Sequence, residues 1–552
     1  MSPQTWLRRY GVALMTYLLA TWLTDAHFMG DTVGYVNTIL AGDNRIWEFG
    51  HLLWRPLGLL VSVTFRPLTR LAVGDDVRAN VTLTLVALGW LAGLMSVLLL
   101  RGLVGRVCPQ EWVVNVACVA FIFSQGFLNF SQTGCSYVPG LAFLLLGLRI
   151  LAQDGEQPRR SLRTAVFAGL ALAVSICIWF LYLWAMPAAI LAPLFLYGFS
   201  RERLRLVIQT ALLFGLFVGL IYASVLAGLG LYSFADVKDW VAAATHSATV
   251  AGFPRMVFGF ARSFINMGHD GLLIKRFLLN DPYNPVSLLE LFRLSLWKLV
   301  LFYLFLAAIV INLLRSPHGR RIFGLLMLNC VPVLGFAIFW QGGDMERYLG
   351  LYPLVFLSLA CALGSDKSLL WAKLIALVFV AAMISSNVLA LSKMALERRQ
   401  KMVEARISDL VPLLKPQSRV VTVNQRDELW EANYDFPFNP IFKKYANLTH
   451  PATSLGTSQV LRWRQEFARL ALSVWEDGAD VWVSKRAVSQ RPQKQWLWAE
   501  GDDPLVRWND FYDFFTQLEM GETVGGEDGF MLLLPTPGNK QLLSVHAQRA
   551  QP

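Results

Sequence analysis

The first polar stretch after the first hydrophobic segment reads Asp25-Ala26-His27-Phe28-Met29-Gly30-Asp31-Thr32-Val33-Gly34-Tyr35. It places two carboxylates and a histidine where an apolar run has just ended. An ionised acid there is costly unless it meets water or a partner, so each carboxylate either marks the water boundary or does chemistry at it. Asp25 reads as a boundary marker and Asp31 as the candidate for chemistry. A carboxylate anchored at such a boundary can take a proton from an incoming hydroxyl or amine as general base. A basic residue on a second element can neutralise a phosphate leaving group. Later polar segments supply Asp43, Glu48, His51 and Arg55, then His246, His269, Asp270, Lys275, Arg276 and Asp281, and finally Asp344, Glu346 and Arg347. These are the parts needed to move a group from a membrane-bound phosphate carrier to an acceptor.

The elements that must position them are membrane helices. The 552-residue chain is 55% hydrophobic and only 16% charged, with a mean hydropathy of +0.46. That is more apolar surface than a soluble fold can bury, so the chain reads as a polytopic α-helical membrane protein. The formal charge of +11 sits in short basic clusters between apolar runs, which is how topology is written, and nucleic-acid binding is set aside. The six cysteines lie within or beside apolar segments without a CxxC pair, and read as packing residues. Arg8-Arg9 ahead of an apolar run imitates a signal peptide, but no small-x-small cleavage site closes it, so a retained span is expected.

The first span covers about Tyr10 to Leu23, short against the roughly 20 residues needed to cross hydrocarbon. Further apolar runs lie at about 79 to 100, 112 to 129, 137 to 152, 164 to 180, 182 to 198, 206 to 229, 296 to 314, 321 to 340, 348 to 364 and 368 to 391. Between the first two lies His51 to Phe65, interrupted by Arg55-Pro56, which is either a span or a pair of helices on the outer face. If it does not cross, Arg101 and Arg106, then Arg159, Arg160 and Arg163, then Arg201, Arg203 and Arg205, then Arg315, Arg320 and Arg321 all fall in the cytoplasm, as the positive-inside bias requires. This reading gives about eleven transmembrane helices in residues 1–391. Residues 25–78 form a first outer loop with juxtamembrane helices, and 232–295 form another outer loop. On this reading 164 to 198 must hold two short spans turning near Trp184 to Pro187.

The remainder, 392–552, is a different kind of chain and is expected on that same outer side. Val420 to Val423, Asp480 to Val483 and Phe530 to Leu534 read as strands, and Ser458 to Trp475 as an amphipathic helix, which together predict a small extracytoplasmic α/β domain. The tail tryptophans, among them Trp463, Trp475, Trp482, Trp496, Trp498 and Trp508, suit core packing, and stacking on sugar rings is the alternative. No Walker loop, GxGxxG unit, GxSxG elbow or HExxH pair occurs, so nucleotide hydrolysis, hydride transfer and zinc proteolysis have no sequence support.

An acid just after the first span, a long first outer loop, roughly eleven spans and a terminal α/β domain together resemble the C-type membrane glycosyltransferase (GT-C) superfold. That group includes oligosaccharyltransferases, protein O-mannosyltransferases and bacterial lipid A aminoarabinose transferases. Gly30-Asp31-Thr32 followed by Tyr35 is similar to the acidic motif of its bacterial members. Gly343-Asp344-Met345-Glu346-Arg347-Tyr348 running on to Pro353 is similar to the Arg-Tyr stretch before a late span. The adjacent acidic pair of the O-mannosyltransferases and the WWD-type motif of the oligosaccharyltransferases are lacking.

The resemblance implies a sugar transferred with inversion from a polyprenyl-phosphate donor, such as an undecaprenyl one, to a glycan, lipid or protein acceptor on the outer face. Asp31 would be the general base. Arg347 would hold the leaving phosphate, with Arg55, Lys275 and Arg276 as further candidates, and His51, Tyr35, Glu346 and Tyr348 would support them. It also implies a bacterial inner membrane with the site on the periplasmic side. Some members need a divalent cation, for which His246, His269 and Asp270 are the candidate set. Their spacing matches no ligand signature, so no metal residue is assigned. A transporter or lipid-linked-sugar flippase is the alternative class, though no pair of Gly/Pro-broken spans marks corresponding halves. A non-catalytic scaffold is the third.

Overall fold

A computed structural model describes residues 3–26, 30–75, 77–156, 161–244, 252–267, 277, 286–399, 409–415, 417–421, 463–485, 513–526 and 529–548. The chain divides into two compact units, residues 1–267 with 294–395, and residues 268–293 with 396–552.

In the first unit the apolar runs fall largely on helix. Among the described residues, eight helices are long and apolar enough to cross a membrane: Val77–Val107, Tyr137–Glu156, Phe180–Tyr197, Arg201–Leu229, Leu288–Leu314, Pro317–Phe339, Met345–Gly364 and Leu370–Lys393. Two more apolar helices are shorter, Glu111–Ile122 and Leu162–Ile178. Helix α1 covers Pro3–Leu23, 21 residues, and is about 30 Å long, but its first turns carry Arg8 and Arg9 and it is not among the eight helices long and apolar enough to cross. The span expected at 112 to 129 is broken. Helix α6, Glu111–Ile122, is followed by an extended Ser124 and the short α7, Gln125–Phe130.

The stretch at 164 to 198 does hold two helices. Helix α9, Ser161–Ile178, stops where Trp179 turns extended (φ −147°, ψ 108°). A 3-10 turn, Phe180–Ala185, then leads into α10, Met186–Tyr197. Several spans also run longer than their apolar cores. Helix α5 covers Val77–Val107, α11 starts at Arg201, and the segment expected from 296 begins at Leu288.

Residues 25–78 carry helices too short to cross. Helix α2 is Thr32–Ala41, α3 is Trp54–Thr64 with 11 residues, and α4 is Arg66–Val73 with 8. At 1.5 Å per residue α3 and α4 reach about 17 and 12 Å, against a hydrocarbon core of about 30 Å. Arg55 lies inside α3 and Pro56 follows it, so the break expected at that pair is absent; Pro sits in the first turn, where its missing N–H costs nothing. Helix α4 buries none of its side chains and exposes Leu68 and Leu71, as a helix lying in an interface does. Helix α8 is Tyr137–Glu156, α12 is Phe234–Ala243 and α13 is Phe253–Phe264.

The second unit contains a four-stranded sheet in the order β1-β2-β4-β3, made of Arg419–Val421, Val481–Ser484, Met520–Val524 and Phe530–Leu533. β1 runs parallel to β2, and the other pairings are antiparallel. A parallel neighbour needs a crossover, and the helix Trp463–Glu476 lies between those two strands in the chain. Val481, Trp482, Val483 and Ser484 are all buried, the mark of a strand covered on both faces. Trp482 is therefore a core residue. Trp496, Trp498 and Trp508 lie outside the described residues. β3 escapes the sequence reading because Met520-Gly521-Glu522-Thr523-Val524 is an edge strand with no buried residue. The terminal helix Pro537–Gln548 is tied in by buried Asn539, whose amide donates to the Glu519 and Leu534 carbonyls at 2.9 and 2.8 Å.

Candidate active site

Gly30, just ahead of α2, has φ +54°, a conformation open to glycine at little cost. A β-carbon there would come within 2.7 Å of the Cys135 sulfur, so the same glycine lets the turn press against residues 131–136. Asp31 follows at the N-cap position of α2, yet its side chain makes no capping hydrogen bond. Its carboxylate is engaged elsewhere. Tyr137, at the start of α8, donates to Asp31 Oδ2 at 2.6 Å, and Tyr35, one turn along α2, donates to the same oxygen at 3.2 Å.

The Tyr35 hydroxyl stands among further partners, 3.1 Å from the His51 ring nitrogens and 3.3 Å from Ser136 Oγ. Ser136 Oγ lies 2.9 Å from His51 Nδ1. Burial, and then the Asp31 charge, holds the Tyr35 phenol well above its usual range, so it remains a donor across physiological pH. The loop around His51 is fixed by its neighbours. Trp54 Nε1 donates to the Gly134 carbonyl at 2.9 Å, and Leu53 N to the Cys177 carbonyl at 2.8 Å. Arg55, buried in α3, lies over the Tyr35 ring at 5.1 Å. It pairs with Glu48 and donates to the Arg45 carbonyl at 2.8 Å.

The other half of the site comes from residues 340–351, where a 3-10 turn, Met345–Leu351, opens the segment leading into the helix Tyr352–Gly364. This turn packs against α7, α8 and α13. Arg347 is largely buried there, with 11% of its side chain exposed, its guanidinium 4.6 Å from the Trp340 ring and Nη2 donating to Gln341 Oε1 at 2.5 Å. Its carboxylate neighbours stand off, Asp344 at 3.7 Å and Glu346 at 3.9 Å. Arg347 Nε has no hydrogen-bond partner among the described residues. Gln341 adopts φ +48°, the positive-φ case among the described residues other than glycine, and strain of this kind costs about 1–3 kcal/mol. The loop is pinned from behind. Tyr348 donates to the Gly342 carbonyl at 2.5 Å, and Arg262 of α13 donates to the Gly343 carbonyl at 3.1 Å.

The two halves lie near each other. Arg347 and Glu346 both lie within electrostatic range of Asp31, and Arg347 also lies within range of Tyr137. One site thus brings together Asp31, Tyr35, His51, Arg55, Glu346, Arg347 and Tyr348. Lys275 and Arg276 lie outside the described residues, as do His246, His269 and Asp270. Asp43 is a loop charge: its carboxylate caps residues 44–46 and takes a hydrogen bond from Arg45, which lowers its pKa. Among the described residues no three His, Cys, Asp or Glu side chains gather as a metal-ligand set.

Sequence reasoning missed Tyr137, Ser136, Trp340, Gln341 and Arg262. Tyr137 stands 106 positions from Asp31, and no local spacing announces that pairing. Ser131 to Pro139 signals only an outer turn.

No family model matches this chain, and no curated protein does. Among solved structures it is similar to an oligosaccharyltransferase from Archaeoglobus fulgidus, determined with zinc and sulfate. That match has a TM-score of 0.44 and 13% identity, and covers 90% of this chain and 70% of that one. It is also similar to ArnT from Cupriavidus metallidurans bound to undecaprenyl phosphate, with a TM-score of 0.48 and 11% identity over 98% of this chain and 99% of that one. The apo form of ArnT gives 0.39 and 12% over the same shares.

Proposed function

We propose that this chain is an integral-membrane glycosyltransferase of the GT-C type, moving a sugar from a polyprenyl-phosphate donor to an acceptor on the periplasmic face of a bacterial inner membrane. The observation that carries this reading is the placement of Asp31, whose carboxylate makes no capping bond to its own helix, within electrostatic range of a largely buried Arg347 whose Nε has no hydrogen-bond partner among the described residues. A base and an anion-binding group in one site are what displacement at a sugar phosphate requires.

Both tyrosines bond Asp31 Oδ2, so Oδ1 is the atom offered to an incoming hydroxyl or amine. The acceptor's proton passes to Asp31 as its oxygen or nitrogen bonds to the anomeric carbon. The bond from that carbon to the phosphate oxygen breaks, and its electron pair leaves on the phosphate, which Arg347 holds through charge-assisted hydrogen bonds. A phosphate leaves readily, so no general acid is needed. Attack from the face opposite the phosphate inverts the anomeric centre.

The test uses the full chain in lipid nanodiscs with undecaprenyl phosphate as probe. Arg347→Ala is expected to weaken binding at least tenfold, since hydrogen bonds to charged groups contribute about 1.5–3 kcal/mol. Asp31→Asn should bind the probe normally while transfer of label from radiolabelled lipid-linked sugars falls about 10²- to 10⁴-fold. Wild-type transfer by Asp31→Asn would remove the base assignment. Unchanged binding by Arg347→Ala would remove the phosphate assignment.

A further inference from the structure

The Tyr35 hydroxyl has one proton and three acceptors within reach: Asp31 Oδ2 at 3.2 Å, the His51 ring at 3.1 Å and Ser136 Oγ at 3.3 Å. It can serve one of them fully at a time. Tyr137, at 2.6 Å, supplies Asp31 with a donor in any case. Asp31 therefore carries one constant hydrogen bond and one that depends on where Tyr35 points. That choice belongs to the imidazole. A neutral His51 accepts a proton from Tyr35 or from Ser136, whereas a protonated His51 donates to their oxygens and turns the Tyr35 proton toward Asp31.

We propose, resting on Asp31 as the base, that His51 is a positioning residue for transfer: through Tyr35 it sets how many donors Asp31 carries, and so how strongly Asp31 takes the acceptor's proton. A second donor stabilises the carboxylate and makes it a weaker base. Transfer is thus favoured when His51 is neutral and reduced when it is protonated. A purely anchoring role leaves this geometry unexplained, because Trp54 and Leu53 already tie the loop to the Gly134 and Cys177 carbonyls. His51 is buried, which keeps bulk water from replacing the Tyr35 bond. Among the described residues, the titratable and charged groups gathered about Tyr35, its hydrogen-bond neighbour, include Asp31, Cys135, Tyr137 and Arg55, and Arg55 pairs with Glu48. Cys177 of α9 and Tyr182 of the 3-10 turn lie on elements packed against the His51 turn.

The test is a double-mutant cycle read by NMR on full-length protein carrying ¹⁵N-histidine in nanodiscs, with the signal assigned by His51→Gln. Asp31→Asn is expected to lower the His51 pKa by about 0.5 to 1 unit, because the Tyr35 oxygen that accepts from the imidazolium no longer has a carboxylate to take its proton. In a Tyr35→Phe background that shift should shrink by at least half. A shift of the same size in both backgrounds, or none at all, overturns the proposal.

Kinetics gives the second readout. The wild-type pH profile of transfer should show a three- to tenfold step as His51 loses its proton, absent in both His51→Gln and Tyr35→Phe. Superimposable profiles overturn the proposal while an inactive Asp31→Asn leaves the base assignment standing. An active Asp31→Asn instead removes the base itself. Tyr35→Phe keeps shape and burial, so it remains informative if His51→Gln does not fold.

Discussion

Asp31 is an acid that starts a helix without capping it. Capping typically contributes about 1 kcal/mol, and here that bond is forgone for two tyrosine hydroxyls. Tyr137→Phe removes the shorter of these and should lower kcat about tenfold with KM little changed, because losing the bond that orients the proposed base outweighs the gain in its basicity; steady-state kinetics on the purified variant checks this. Gln341 is the parallel case on the side proposed to hold the phosphate, a strained residue whose amide oxygen holds Arg347. Gln341→Ala and Gln341→Gly should weaken undecaprenyl phosphate binding alike. The glycine variant should be the more stable by about 1 kcal/mol, because it adopts positive φ without the cost a β-carbon brings. A thermal melt of the two proteins side by side would show it. Cys135 touches the site but is no nucleophile: burial pushes its thiol up to about 12, so its thiolate is scarce at neutral pH.

At the scale of elements, two glycines let the halves of the site approach their supports. A β-carbon on Gly89 of α5 would sit 2.1 Å from the Thr133 carbonyl oxygen, and one on Gly259 of α13 would sit 1.9 Å from that of Gly342. Neither backbone oxygen can rotate away as a side chain would. Gly259→Ala should displace the loop before Arg347 and reduce undecaprenyl phosphate binding at least tenfold, while the NMR signal of His51 stays put. Gly89→Ala should do the reverse, moving residues 131–136 and disturbing His51. If each alanine disturbed both readouts equally, the halves would not be separately supported. Helices α3 and α4 add a different constraint. Too short to cross, they hold Arg55 and the preceding His51 at the level where α2 begins.

At the scale of the molecule, the first unit is held by close packing of helices around buried aromatic residues such as Tyr17, Tyr182, Tyr352, Phe121 and Phe127. All six cysteines are buried within it, so a single introduced cysteine can report sidedness against a quiet background. Asn37, exposed on α2, and Arg201, exposed at the start of α11, test the orientation. In intact cells a membrane-impermeant maleimide should label Asn37→Cys and leave Arg201→Cys unlabelled until the membrane is opened. Labelling of Arg201→Cys from outside would invert the topology and put the basic clusters on the wrong face.

The amino-acid sequence determined the helices, because a bilayer leaves an apolar run of sufficient length no other way to satisfy its backbone. It also determined three of the four strands, whose valines and aromatics alternate or cluster as buried strands do. It marked Asp31 and Arg347 through their position at span boundaries, where charge needs a reason. What only the tertiary structure decided is who stands opposite whom. Tyr137 reaches Asp31 across 106 positions and Ser136 reaches His51 across 85, and contacts of that range leave no periodicity to read. Gln341 was likewise silent, because backbone strain comes from the packing of Gly342 and Gly343 against α13 rather than from the residue itself. The break at Trp179 and the short α7 arose the same way, where the close packing of neighbouring helices outweighed the continuity of an apolar run.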